Sequence, residues 1–221
     1  KPVQADRGVL FDIGGGSTEV AWVRIDPERQ TQTLIGTTSV PVGVITLQEM
    51  FGEGHGPSYE TMLSHVQDYL KDFETVHRIR REVTLGKTRL IGTSGTVTTL
   101  AGVALSLPRY NRAAIDGLTL PGPSMVDAIG SLRRLDRDEL AEHPCVGAER
   151  MKFVLPGCAI FEAIHRLWPV EDVTIADRGL RDGMLLRMAR DHGQRSGKGR
   201  STTSRHATPR SRGPFGTYAT I

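Results

Sequence analysis

The chain has 221 residues, 38% of them hydrophobic, with 28 Lys/Arg against 25 Asp/Glu for a net charge of +3. That length allows one large or two small domains, and no apolar run reaches the roughly 18–20 residues that a bilayer-spanning helix requires. The positive charge is local. Residues 192–221, HGQRSGKGRSTTSRHATPRSRGPFGTYATI, hold six Lys/Arg and no acid, which leaves residues 1–191 with a net charge of −3. The isoelectric point of about 9.1 therefore describes the tail and gives no reason to read the domain as a specific nucleic-acid binder. The tail is too poor in apolar residues to offset its chain entropy, so 192–221 is expected to be a disordered basic extension of a domain over 1–191. Cys145 and Cys158 are the two cysteines, too few for a disulfide framework. No signal-peptide pattern opens the chain, and this cysteine usage suits a reducing, cytoplasmic setting.

In chain order, residues 8–13 (GVLFDI), 18–25 (TEVAWVRI) and 30–40 (QTQTLIGTTSV) read as three strands with short links, an antiparallel meander. The period then changes. Met62, Leu63, Val66, Tyr69, Leu70, Phe73 and Val76 mark one face of a long helix that Pro57 and Ser58 can start. A strand at 89–93 leads into a helix at 94–107, stopped by Pro108. Helices follow at 123–135 and 149–168, with Pro156-Gly157 expected to kink or split the second. A buried strand at 172–177 and a closing helix at 179–190 complete the order. A meander followed by alternating strands and helices predicts an α/β fold, a mixed sheet with helices packed on it.

The chemistry concentrates in DIGGGSTE (12–19). A symmetric hairpin puts Gly15 and Gly16 at its tip, Gly14 opposite Ser17, Ile13 opposite Thr18, and Asp12 opposite Glu19. Opposed Cβ atoms lie ~4.5–5.5 Å apart, where two carboxylates repel. A divalent cation, a shared proton or a β-bulge would each relieve that repulsion. Magnesium, which takes one or two carboxylates plus waters and phosphates, makes Asp12 and Glu19 candidate metal ligands. Gly14, Gly15 and Gly16 can adopt positive φ and let an anion approach, consecutive amides cradle it, and Ser17 and Thr18 add hydroxyl donors. A tight hairpin with two solvated acids is the plainer alternative.

A second loop, Gly92-Thr93-Ser94-Gly95-Thr96, joins a strand to a helix start, where free amides and the helix dipole also favour an anion. Ordinary Ser/Thr capping is the other reading. LGKTRL (85–90) is not a phosphate-binding P-loop, because Arg81 stands where that motif needs its first glycine. The seven histidines show no metal-ligand spacing.

DIGGGSTE followed by GTSGT resembles the exopolyphosphatase and guanosine pentaphosphatase family, within the actin-like ATPase and sugar kinase superfamily. ERMKFVLPGCAIFEAI and DVTIADRGLRDGML resemble that family's second-domain ending. The resemblance implies a ribonuclease-H-like domain and magnesium-assisted hydrolysis of terminal phosphoanhydrides of polyphosphate or guanosine pentaphosphate. It carries metal and catalytic roles to Asp12 and Glu19, and phosphate binding to Gly14–Thr18 and Gly92–Thr96. Arg150 and Arg181 match basic positions and are candidate anion contacts, a helix-end salt bridge being equally open for each. The family's other phosphate loop and its water-activating glutamate match nothing here. The chain is thus expected to be the second domain of a two-domain enzyme, partnered by that first domain or by another copy of itself. A catalytically silent binding module and an ATP-dependent kinase are the competing readings.

Overall fold

A computed structural model describes residues 6–177 except 27 and 30. The helix read at 179–190, Arg181 and the basic tail lie outside them. Strands β1 (Arg7–Ile13), β2 (Thr18–Asp26) and β3 (Thr31–Val40) form the meander that the sequence predicts. Helices α1 (Val44–Phe51), α2 (Pro57–His77) and α3 (Ile79–Thr84) precede β4 (Thr88–Thr93). Then come α4 (Gly95–Ala104), α5 (Arg112–Ile115), β5 (Thr119–Pro121), α6 (Gly122–Leu132), α7 (Arg137–Glu142), α8 (Met151–Leu167) and β6 (Asp172–Ala176). The strands make one mixed sheet in the order β3-β2-β1-β4-β6-β5. β1 runs antiparallel to β2 and parallel to β4.

Strand alternation divides the sheet into two chemically different faces. Val9, Phe11 and Ile13 of β1 align with Trp22, Val20 and Thr18 of β2, and all are buried. Leu90 and Gly92 of β4, and Val173 and Ile175 of β6, extend this face. It carries the helical layer: Phe11 meets Phe161 of α8 with ring centroids 6.0 Å apart, and Val97 of α4 packs beside Gly92. Gly92 is glycine for want of space. A Cβ there would lie 2.5 Å from Phe11 Cζ and 3.0 Å from Val97 Cγ1. The opposite face holds Leu10, Asp12, Glu19, Ala21 and Ile91, none of them buried among the described residues.

α8 is the central helix, and it is not split: Pro156 sits inside its 17 residues. A proline there removes one backbone donor, and the burial of every residue from Val154 to Ile164 outweighs that loss. α8 is clamped to α2 by charge as well as by packing. Glu162, 6% exposed, accepts the Tyr59 hydroxyl at 2.6 Å and two Arg166 donors at 3.0 and 2.5 Å. The Arg133 guanidinium lies over the Tyr59 ring at 3.9 Å. On α2, Met62, Leu63, Val66, Leu70 and Phe73 are buried as the periodicity predicts. Tyr69 and Val76 are not: they stand 45% and 73% exposed, off the buried stripe. Cys145 and Cys158 are free and buried.

Candidate functional site

β1 and β4 end side by side, and the two glycine loops leave from those ends. Asp12 aligns with Thr93 across the parallel pair, and with Glu19 across the hairpin. Glu19 in turn aligns with Ser39 of β3. The row Ser39, Glu19, Asp12, Thr93 therefore crosses four strands on the face opposite the helical layer. Ligands of open α/β sheets bind outside such carboxyl ends of strands.

The opposed acids are real. The β1–β2 register runs unbroken from Arg7↔Arg24 to Ile13↔Thr18, so no bulge turns either acid aside; the bulge lies between Trp22 and Val23, against β3. Glu19 Oε1 accepts hydrogen bonds from Ser17 Oγ at 2.7 Å and Ser39 Oγ at 3.0 Å. Asp12 is half-buried. Burial, and then the charge of Glu19, push its carboxyl above the usual range. Two of the three ways of relieving the repulsion remain, a cation and a shared proton. The donor set consists of hard oxygens at the open end of the sheet and fits magnesium. No group of three or more His, Cys, Asp or Glu among the described residues forms an all-protein metal cage.

The hairpin tip closes through Gly14 N–H to Ser17 C=O at 2.9 Å. None of its three glycines has positive φ, so conformational freedom is not their reason. Crowding accounts for Gly14, where a Cβ would lie 2.9 Å from the backbone oxygen of Ser17; on Gly15 it would meet only the end of the 43%-exposed Ile45 side chain, 3.0 Å from Cδ1. Gly16 is different: nothing lies within 4 Å of where its Cβ would be. Thr18 is 1% exposed and donates its hydroxyl to Val42 C=O at 2.7 Å, so it anchors the strand and offers no donor to a ligand. Gly92, buried under Phe11, likewise faces the core and not a ligand.

The second loop caps α4. Ser94 Oγ accepts from Val97 N–H at 3.3 Å. Its φ of 149° with ψ of 167° is a conformation otherwise reserved for glycine, and costs a serine about 1–3 kcal/mol. The Arg150 guanidinium lies beside Gly95, where a Cβ would stand 3.6 Å from Nη1, at ordinary van der Waals distance. Arg150 Nη1 also lies 3.5 Å from Thr99 Oγ1. Thr96 packs its hydroxyl against Gly157 of α8, where a Cβ would come within 2.4 Å.

These pieces meet in a cavity of about 230 Å³. The hairpin tip contributes Gly14 and Gly15, the second loop Gly95 and Thr96, and α8 sets Arg150 at the mouth with Phe153 and Val154 as an apolar wall. Val44, Ile13 and Thr99 complete the lining. The sequence pattern names the two loops, and the family resemblance names Arg150. Neither names Phe153, Val154, Val44 or Thr99, which enter through packing, or Ser39, whose alignment with Glu19 depends on a bulged register. Asp12 and Glu19 lie across the sheet from this cavity, with the hairpin tip between them.

This arrangement has counterparts. The chain matches the model of the Ppx/GppA phosphatase family over residues 2–192. It belongs to the Ppx/GppA phosphatase family. Exopolyphosphatase 2 of Mycobacterium tuberculosis is 24% identical over 194 residues, a match covering 82% of this chain and 55% of that protein. The guanosine-5'-triphosphate,3'-diphosphate pyrophosphatase of Aeromonas hydrophila is 28% identical over 181 residues, 80% of this chain and 33% of that one. The chain thus spans about half the length of the former relative and a third of the latter. The solved Ppx/GppA enzyme of Aquifex aeolicus superposes with a TM-score of 0.68 at 21% identity, over 83% of this chain and 57% of that one. An exopolyphosphatase of Cytophaga hutchinsonii gives 0.66 at 22% identity, over 86% and 59%. The mixed α/β fold expected from the element order, and the actin-like ATPase fold that the family resemblance implies, is the fold of these Ppx/GppA structures.

Proposed function

We propose that this chain supplies the phosphate cradle and the metal-binding acids of a hydrolase that removes terminal phosphoryl groups from inorganic polyphosphate or guanosine pentaphosphate. The observation that carries the reading is the convergence of Gly14, Gly15, Gly95, Thr96 and Arg150 on one cavity, with the Asp12–Glu19 pair across the hairpin tip from it. Free amides at the hairpin tip and at the start of α4, with one guanidinium, can bind a terminal phosphate and stabilise the charge that builds on its oxygens during in-line displacement. Asp12 and Glu19 would hold magnesium, which when bound neutralises charge on the phosphate oxygens. The Ser17 and Ser39 hydroxyls, both donating to Glu19 Oε1, fix Glu19 for that task. Among the described residues that line the cavity none is an acid, so this reading assigns the orienting of the attacking water to a group outside those walls. Family membership supports the phosphatase class, and the relatives named for polyphosphate and for guanosine pentaphosphate support that pair of substrates.

Calorimetric titration of the chain with inorganic tripolyphosphate, with and without magnesium, tests this reading. Arg150→Ala is expected to weaken binding by about tenfold, the worth of one charge-assisted hydrogen bond, with the thermal midpoint unchanged. Equal affinity in the variant would remove Arg150 from the site. Steady phosphate release from polyphosphate by residues 1–221 alone would overturn the placing of the water-orienting group outside the cavity.

A further inference from the structure

The first turn of α1 is spent in an unusual way. Val44 N–H donates to Gly14 C=O at 3.0 Å, Ile45 N–H to Gly15 C=O at 2.8 Å, and Thr46 N–H to the same Gly15 oxygen at 3.4 Å. Amides that a helix start normally leaves without a helical partner thus hold the two carbonyls of the hairpin tip. All described peptide bonds are trans. In a trans peptide the N–H points opposite to the C=O. Fixing the Gly14 carbonyl on α1 therefore turns the Gly15 amide away from α1, and fixing the Gly15 carbonyl does the same for the Gly16 amide. Neither amide donates to another group among the described residues.

Gly43 makes this contact possible. A Cβ there would stand 2.4 Å from both C and O of Gly15 and 2.6 Å from Gly14 O. Its backbone is extended, with φ −132° and ψ −177°, so the glycine is required by space and not by conformation. Its own N–H donates to Thr46 Oγ1 at 2.7 Å, which ties residue 43 to the turn that grips the tip.

We propose that Gly43 and the Val44 amide are positioning elements: they lock the two tip peptides so that the Gly15 and Gly16 amides stand ready as a pair of phosphate donors. This rests on the reading of the tip as a phosphate cradle. Peptide planes flanked by glycine rotate at little steric cost, so an unclamped tip would spend part of its binding energy on being ordered.

Two variants separate positioning from folding. Gly43→Ala forces the tip and α1 apart. Val44→Pro deletes the N–H that holds Gly14, and Val44→Ala, which keeps that N–H, is the control for the change of a cavity-lining side chain and is expected to keep most of the affinity; proline is accepted at the first helical position, and the extended Gly43 before it already has the backbone that a residue preceding proline prefers. Each protein is titrated with inorganic tripolyphosphate while the Gly15 and Gly16 amide resonances are followed, and its thermal midpoint is measured separately. In the wild type both resonances are expected to move with ligand. In Val44→Pro the affinity is expected to fall about tenfold with the midpoint held within a few degrees, and in Gly43→Ala to fall further. Wild-type affinity in folded Val44→Pro would overturn the positioning role and leave the cradle standing. Resonances that stay still in the wild type would overturn the cradle itself, and the positioning role with it.

Discussion

Replacing Asp12 by Asn should stabilise the protein without magnesium and abolish its response to magnesium. Asp12 is half-buried and faces Glu19 directly, and both effects raise its carboxyl pKa in the fold. A carboxyl so raised favours the folded state while it is protonated. That contribution is complete below about pH 4, the ordinary aspartate range, and is lost as pH climbs through the raised value. Asn carries no charge at either end. Relief of a directly opposed like-charge pair is worth about 1 kcal/mol, or roughly 2–4 °C in thermal midpoint for a chain of this size. In EDTA at pH 7, Asp12→Asn should therefore melt a few degrees above the wild type, and at pH 3 the gap should close. Magnesium reverses the order. For a site of about millimolar affinity, 10 mM metal adds about 1.4 kcal/mol to the wild type. Calorimetric melts in EDTA and in magnesium, from pH 3 to pH 7, give all four comparisons. An advantage for Asn that does not grow with pH would refute the charge argument. Equal magnesium shifts in the two proteins would refute the metal bracket.

Two further substitutions probe the frame around the site. Glu162→Ala leaves the buried Tyr59 hydroxyl without its acceptor and Arg166 with Glu60 as its remaining carboxylate partner; because Arg166 is 45% exposed, the loss is set below that of a fully buried pair, at about 2–4 kcal/mol in urea titrations. Ser94→Gly relieves the glycine-type backbone at the α4 cap and loses little as a cap, whereas Ser94→Ala keeps the strain and loses the cap. The glycine variant is expected to be more stable than the alanine variant by about 1–2 kcal/mol in the same assay.

What the sequence made legible was whatever depends on local spacing. The meander, the opposition of Asp12 to Glu19 and the strand-to-helix turn at 92–96 follow from turn length and the two-residue period of strands. Long-range packing was not legible. Thr18 looks like a free hydroxyl beside a glycine turn, but it is committed to Val42, 24 residues away. Gly92 looks like part of an anion loop, but Phe11 explains it. The three-residue strand Thr119–Pro121 is too short to show a period, and it joins the sheet only by pairing with β6. Helix α1 has eight residues and no side-chain cap from its Gly43, so its start carries no Ser, Thr, Asp or Asn signal. Its role emerges only when its amides are seen to end on the hairpin.

The geometry of the hairpin tip sets one more expectation. The acids stand on one face of the sheet and the Arg150 cavity on the other, and the hairpin of residues 14–17 borders both. A phosphate chain that reaches a metal on Asp12 and Glu19 as well as the cavity has to pass over this tip. Gly16 is the tip residue with open space at its Cβ position and no positive φ, so neither packing nor backbone asks for a glycine there. If only folding mattered, alanine would serve, and the change would alter stability by less than about 1 kcal/mol. A methyl group at the crest would nevertheless stand between the Gly16 amide and a phosphate oxygen. Gly16→Ala is therefore expected to keep the wild-type thermal midpoint and to lose tripolyphosphate affinity by about tenfold, comparable to a lost charge-assisted hydrogen bond. Unchanged affinity with unchanged stability would mean that the ligand does not cross the tip, and that the acids and the cavity serve separate ends.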